Sequence, residues 1–139
     1  MREFVSEIIV EWSHCDAARI VFYPNFYIWF DQGTERLFSA NDLSYNQLSQ
    51  DFGIGGMPLL ETGAVYKNPC KLGSELEMTS WVEEWTGKTF LVKHRVMHGN
   101  GDEALEGFER RAMVVNDPDL PKGMRAIETP KKIRDRFIG

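Results

Sequence analysis

Between Pro24 and Ala40, the residues Phe26, Trp29, Phe30, Gly33 and Leu37 recur at i, i+3, i+4, i+7 and i+11. On a helix of 3.6 residues per turn this spacing draws one apolar stripe, wide enough to lie on a sheet. Proline opens such a helix well, because its fixed φ suits the first turn and its missing N–H would have no partner there. The spacing predicts a helix from about Pro24 to Ala40, stopped near Asn41 and Asp42. A helix this apolar on one side needs a covering layer, which the rest of the chain has to supply.

The flanking sequence reads as that layer. Glu3 to Trp12 alternates, with Phe4, Ser6, Ile8, Val10 and Trp12 on one side and Val5, Glu7, Ile9 and Glu11 on the other. Apolar residues on both sides predict a strand with at least partial cover on each face. Ser13 to Tyr23 reads as turn and irregular chain. After the long helix a shorter one spans about Ser44 to Phe52, with Ser44 as N-cap and Gln47 at its third position. Gly53-Ile54-Gly55-Gly56-Met57-Pro58 is a flexible connection. Period-two segments follow at Leu59 to Lys67, Glu75 to Trp85, Thr89 to Met97 and Ala104 to Asn116, with turns at Gly87-Lys88 and at His98-Gly-Asn-Gly-Asp. Arg125 to Ile127 reads as a last short edge, and Thr129 and Pro130 as the N-cap and first residue of a basic helix reaching about Phe137. The order predicts a single α+β domain over residues 1–139, one antiparallel sheet packed on one long helix. Such a sheet leaves an open edge, which pairing with a second copy would cover.

Composition narrows the setting. A net charge of −5 argues against nucleic acid as a partner. No window approaches the ~18 unbroken apolar residues of a membrane helix, and the first residues are too acidic for a signal peptide. Cys15 and Cys70 suggest no disulfide framework. A cytoplasmic protein is the expectation, with no metal, since His14, His94 and His98 lack ligand spacing and read as structural or surface residues. Gly53 to Gly56 lacks the Lys and Ser/Thr of a P-loop and reads as a backbone approach to substrate or a hinge. The run Lys131 to Arg136 reads as a solvated helix face or as part of a phosphate-binding patch.

Asp16 is the residue with chemical promise. Alone it fits a turn or a cap. Its place just upstream of the Pro24 helix puts a carboxylate near peptide N–H groups at the positive end of the helix dipole. That pairing suits reactions in which negative charge builds on a substrate oxygen. Cys15 beside His14 is a poorer nucleophile pair, because sequence neighbours on an extended chain point apart.

The stretch Cys15-Asp16-Ala17-Ala18-Arg19-Ile20-Val21-Phe22-Tyr23-Pro24-Asn25-Phe26, followed by Trp29 and Asp31, resembles the 4-hydroxybenzoyl-CoA thioesterases and their acyl-CoA thioesterase relatives. Gly55 to Pro58, Glu84-Trp85 with Lys88 and Phe90, and Arg125 to Glu128 before Pro130 carry the resemblance along nearly the whole chain. It implies a hotdog fold, a long central helix wrapped by an antiparallel sheet, with active sites at the interface of a homodimer and, by family likeness, a homotetramer as a dimer of dimers. It implies hydrolysis of an aryl- or medium-sized acyl-CoA to the free acid and CoA, with no cofactor beyond the coenzyme A of the substrate. On the same resemblance Asp16 is nucleophile or general base, and the Tyr23 backbone N–H is the oxyanion donor. Asp31 would meet a phenol, Phe22 and Trp29 line the substrate, and Lys88 and Arg125 bind the CoA phosphates. Asp31 lies about two turns past Pro24, ~10.5 Å along the axis.

Departures are visible too. Ala17 and Arg19 stand where relatives carry a proline and a glycine, and Thr86 and Gly87 where the 4-hydroxybenzoyl enzyme carries arginines. Two other readings stay open. One is a non-catalytic acyl-CoA binding module, favoured by Arg19 and the lost basic positions. The other is a hotdog dehydratase or hydratase, which needs a histidine acting with a carboxylate, His14 or His94.

Overall fold

In the computed structural model, which describes residues 1–139, the chain runs β1 (Glu3–Ile9), a 3-10 turn at Trp12–His14, α1 (Pro24–Ala40), α2 (Tyr45–Phe52), β2 (Leu59–Tyr66), β3 (Glu75–Thr86), β4 (Thr89–His98), β5 (Glu103–Asn116), β6 (Met124–Ile127) and α3 (Lys131–Arg134), closed by a second 3-10 turn at Asp135–Phe137. The strands form one antiparallel sheet in the order β1-β3-β4-β5-β2, with β6 pairing the far end of β5. β2 lies on the edge, antiparallel to β5, from Leu59 opposite Arg111 to Tyr66 opposite Leu105.

α1 lies across this sheet with all five stripe residues buried, joined by Thr34 and Phe38. Beneath it run Leu76, Met78, Ser80 and Val82 of β3 and Phe90, Val92, His94 and Val96 of β4. β5 adds Leu105, Gly107, Glu109, Arg111 and Met113. Fully burying a side chain as large as Phe30 stabilises the fold by about 2–3 kcal/mol. Two glycines let the layers approach. A methyl on Gly33 would strike Met78 and Ser80, and one on Gly107 would strike the Phe30 ring. α2 begins with the capping box expected from Ser44 and Gln47. The β3–β4 turn places Gly87 at φ +59, the left-handed first position of a II′ hairpin.

Three expectations are corrected. β1 ends at Ile9, and Trp12 moves into the 3-10 turn with 82% of its surface exposed. Val5 and Ile9 on the outward face of β1 are exposed rather than covered, because no second layer packs there. The C-terminal helix is a four-residue α segment that tightens into a 3-10 turn. Pro130 holds the cap position at ψ 140, so the helix starts one residue later, and the buried Thr129 hydroxyl caps nothing. The tighter turn brings Phe137 against Phe38 and Trp85, at 4.8 and 5.4 Å between ring centres.

Candidate active site

The loop before α1 is tied down at several points. Val21 N–H donates to Cys70 O (2.8 Å) and Phe22 N–H to His14 O (2.9 Å). Within it Asp16 N–H donates to Ile20 O and Arg19 N–H to Asp16 O, both at 3.0 Å. Asp16 Oδ1 accepts from Ala18 N–H at 2.9 Å, so the carboxylate braces its own turn with one oxygen. The side chain is otherwise exposed, and Oδ2 has no protein partner. Arg19 sits at φ +64. The loop thus keeps a left-handed residue where the resemblance places a glycine, at a cost of about 1 kcal/mol for a residue with a Cβ.

At the start of α1 the donors are nearly all spent. Pro24 has none, Asn25 N–H donates to Phe22 O (2.9 Å) and Phe26 N–H to Tyr23 O (3.1 Å). The Tyr23 N–H makes no hydrogen bond within the protein. Tyr23, Phe26, Ile20, Val21, Tyr66 and Cys70 border a cleft of about 340 Å³. Burial and the Tyr27 side chain push the Tyr66 phenol up, so it stays neutral. Burial pushes the Cys70 thiol up to about 11, which makes it a poor nucleophile near neutral pH. Asp16 borders a separate depression of about 270 Å³ with Trp12, Cys15, Arg19 and Leu72. On one chain, then, Asp16 and Tyr23 open into two hollows walled by the same loop.

The other singled-out residues scatter. Phe22 is exposed and packs edge-on against Tyr23 at 5.6 Å. Trp29 is buried, edge-on to His14 and Phe26 at 5.1 and 5.4 Å, and backs the cleft from within the core. Asp31 has a side chain 66% exposed and pairs with Arg111 Nη2 at 2.7 Å. Arg125 Nε pairs with Asp117 at 3.3 Å. Lys88 and Arg125 flank the same end of β5: Met113 N–H donates to Lys88 O, and Val115 is the partner of Arg125. The Tyr23 cleft lies at the other end, where Lys67 and Asn68 N–H both donate to Ala104 O. Ala104 to Val114 is about 34 Å of strand at ~3.4 Å per residue.

A buried polar seam between α1 and the sheet is absent from the sequence reading. His94 Nε2 lies 2.9 Å from Glu109 Oε1 and Nδ1 lies 2.7 Å from Ser80 Oγ. With a proton on Nε2 the ring donates to Glu109 Oε1, and Ser80 Oγ is the partner of Nδ1. Thr34 Oγ1 donates to the same Glu109 oxygen. Arg111 Nη2 meets Glu109 Oε2 at 2.5 Å, and Arg111 Nη1 donates to Met57 O at 2.9 Å. Burial alone would push the Glu109 carboxyl up, but His94, Arg111 and Thr34 together hold it below the ordinary carboxylate range. Burial likewise opposes charge on Arg111, and Glu109 and Asp31 outweigh it. The signal was available: strict alternation along β5 places Glu109 and Arg111 in the row of Leu105, Gly107 and Met113. His94 and Glu109 make the histidine–carboxylate pair a hydratase would need, sealed under α1 with side chains 0% and 3% exposed.

The family model described as the thioesterase-like superfamily matches residues 10–137. The 4-hydroxybenzoyl-CoA thioesterase of Pseudomonas sp. (strain CBS-3) is 28% identical over 126 residues, 87% of either chain. The solved structure of 4-hydroxybenzoyl-CoA thioesterase from that strain superposes with a TM-score of 0.86 at 27% identity, covering 98% of this chain and 99% of that one. An aspartate-to-asparagine mutant of 4-hydroxybenzoyl-CoA thioesterase, complexed with 4-hydroxybenzoyl-CoA, gives 0.87 at 26% identity over 99% of each chain.

Proposed function

The chain belongs to the thioesterase-like superfamily and has the hotdog fold, and from that premise we propose that it hydrolyses an aryl- or medium-sized acyl-CoA, of hydroxybenzoyl-CoA type, to the free acid and CoA. The observation that carries the reading is the unspent Tyr23 N–H at the head of a buried helix, beside a loop that presents the Asp16 carboxylate. The names of the relatives, thioesterases acting on aroyl-CoA, support the same class. In one route an Asp16 oxygen attacks the thioester carbonyl, the Tyr23 N–H holds the tetrahedral oxyanion, and CoA leaves as the thiolate. Water then cleaves the mixed anhydride and regenerates the carboxylate. In the other, Asp16 takes a proton from an attacking water and the same donor holds the oxyanion.

The working unit in this reading is a homodimer joined along β2. Leu59, Leu60, Val65 and Tyr66 are exposed on that edge, unlike ordinary protected edges. Antiparallel pairing of two β2 strands sets the Tyr66 end of one chain against the Leu59 end of the other. It would bring Asp16 and Tyr23 of one protomer toward Asp31, Lys88 and Arg125 of its partner, removing the span along β5 that separates them on one chain. Phe22 borders the acyl group, Trp29 acts from behind through Phe26, and a pair of such dimers makes the proposed tetramer.

Release of free thiol from a panel of acyl-CoAs, followed with a thiol dye for wild type and Asp16→Asn, tests the proposal. Turnover by wild type with a loss of at least ~10²-fold in the variant is expected. Undiminished turnover in the variant refutes the role of Asp16. Binding of acyl-CoA without thiol release by wild type favours the non-catalytic module.

A further inference from the structure

We propose that the hollow beside Asp16 receives the acyl group and that Arg19 makes it select acyl groups carrying a carboxylate of their own, the mono-CoA thioesters of dicarboxylic acids. The inference rests on the reading that Asp16 meets the thioester carbonyl, and goes beyond it in assigning the charge of the acyl group.

Arg19 keeps a backbone conformation that disfavours it. Two residues other than glycine have positive φ, Asp42 at +59 and Arg19 at +64. Asp42 lies just past the end of α1, and its short polar side chain tolerates the left-handed region. Arginine has no such local compensation, and a strained residue that persists beside a reactive group points to a use for its side chain. The backbone of Arg19 is fully engaged: its N–H donates to Asp16 O at 3.0 Å and its carbonyl accepts from Leu72 N–H at 3.1 Å. Its guanidinium is not. Arg95, Arg110, Arg111 and Arg125 all pair with carboxylates, whereas Arg19, in a chain of net charge −5, pairs with none. This free cation borders the same hollow as Asp16, about 270 Å³ in volume. Trp12 and Leu72 border it too, and both are left exposed. Apolar walls with one unpaired cation suit an acyl chain that has methylenes to cover and a negative end to hold.

Distance decides which anion this is. The hollow falls just below the ~300 Å³ at which pockets for drug-sized ligands begin, so it takes a small group and not a nucleotide. The pantetheine arm has about thirteen bonds between the sulfur and the first phosphorus, ~15 Å when extended at ~3.6 Å for every three backbone bonds. With the carbonyl at Asp16, the CoA phosphates therefore lie outside the hollow, and an anion within it belongs to the acyl group. Standing alone, Asp16 would repel that anion. Arg19 offsets the repulsion, and its planar fork meets both oxygens of a carboxylate.

Affinity for two non-hydrolysable thioethers of similar size, S-(2-oxohexyl)-CoA and S-(4-carboxy-2-oxobutyl)-CoA, isolates the effect from turnover. Calorimetric titration of wild type is expected to favour the carboxylated ligand by at least ~5-fold, and rising salt should erode that preference. Arg19→Gln, an exposed position with the same backbone demand, should bring the ratio to one or below, because the Asp16 charge is then unopposed. Arg19→Lys keeps the charge without the fork and should fall between the two. Asp16→Asn removes the repulsion and should raise the ratio above that of wild type. A wild-type ratio at or below one, a ratio unmoved in Arg19→Gln or in Asp16→Asn, or an equal loss for both ligands in Arg19→Gln, which would put the guanidinium on the CoA phosphates, overturns the proposal. None of these outcomes depends on hydrolysis, so a failure of the Asp16 reading is read separately, from the thiol assay.

Discussion

Gly107 offers the sharpest test of how α1 is seated. A methyl group added there would fall inside contact distance of the Phe30 ring. That ring has little room to retreat. It is fully buried, stacked on His94 at 4.8 Å and 7°, and met edge-on by Tyr27 at 5.7 Å. Gly107→Ala must therefore push Phe30, and α1 with it, off the sheet. Overpacking of this kind costs about 1–3 kcal/mol. With an unfolding entropy of ~2.1 cal/mol/K per residue, a 139-residue chain loses about 3 °C of Tm per kcal/mol. Calorimetry of Gly107→Ala should show Tm lowered by about 3–10 °C. In the Phe30→Leu background the same change should cost much less, because the shorter side chain vacates the space the methyl needs, and the double-mutant cycle should show a coupling above ~1 kcal/mol. A Gly107→Ala protein that melts with wild type, or a cycle that adds without coupling, would refute the close seating of helix on strand.

Three other outcomes follow from the structure. Arg19→Gly relieves a left-handed residue with a Cβ and should raise Tm by about 3 °C in a thermal melt, whereas no gain would argue against φ +64. Glu109 is held ionised below its ordinary range, so its pairing contributes fully above the unfolded carboxylate value, ~4.3, and is lost as pH falls through the lower folded value. Chemical denaturation should therefore find Glu109→Gln about 3–5 kcal/mol less stable than wild type at pH 7, with the gap shrinking in acid below ~4; a gap constant with pH contradicts the ion pair. Finally, Asp16→Asn mixed with a Lys88→Glu, Arg125→Glu double variant should recover about a quarter of wild-type activity if each site draws on both protomers, since half the dimers are mixed and one site in each is intact; activity no greater than the sum of the parents would place the whole site on one chain.

Much of this architecture can be read before any coordinates. The stripe from Phe26 to Leu37 sets α1 to the residue, and the alternation through β3, β4 and β5 gives their inner faces, because burial on one side writes its period into the sequence. Strand order is not written that way. Nothing local to β1 says that it pairs β3 across more than 60 intervening residues rather than its neighbour in the chain. The seam of Ser80, His94, Glu109, Arg111 and Asp31 escapes for a related reason. Each residue is polar and individually looks like a surface residue, and only their assembly from four elements turns five liabilities into mutual partners. Asp16 and Tyr23 stand out as candidates through their motif, which is all the sequence offers for them. That they face separate hollows on one chain is not legible there, since the relation depends on how the loop closes on Cys70.

That seam also has a mechanical consequence. An apolar rod on an apolar sheet has nearly equivalent resting places one helical turn, ~5.4 Å, apart. Here a slide of that size would strip Thr34 from Glu109 and Asp31 from Arg111 at once, costing each of the two buried charges a partner. The seam works as a locating pin. It sets how far the head of the rod projects, and so the height at which the Tyr23 amide meets whatever enters the cleft.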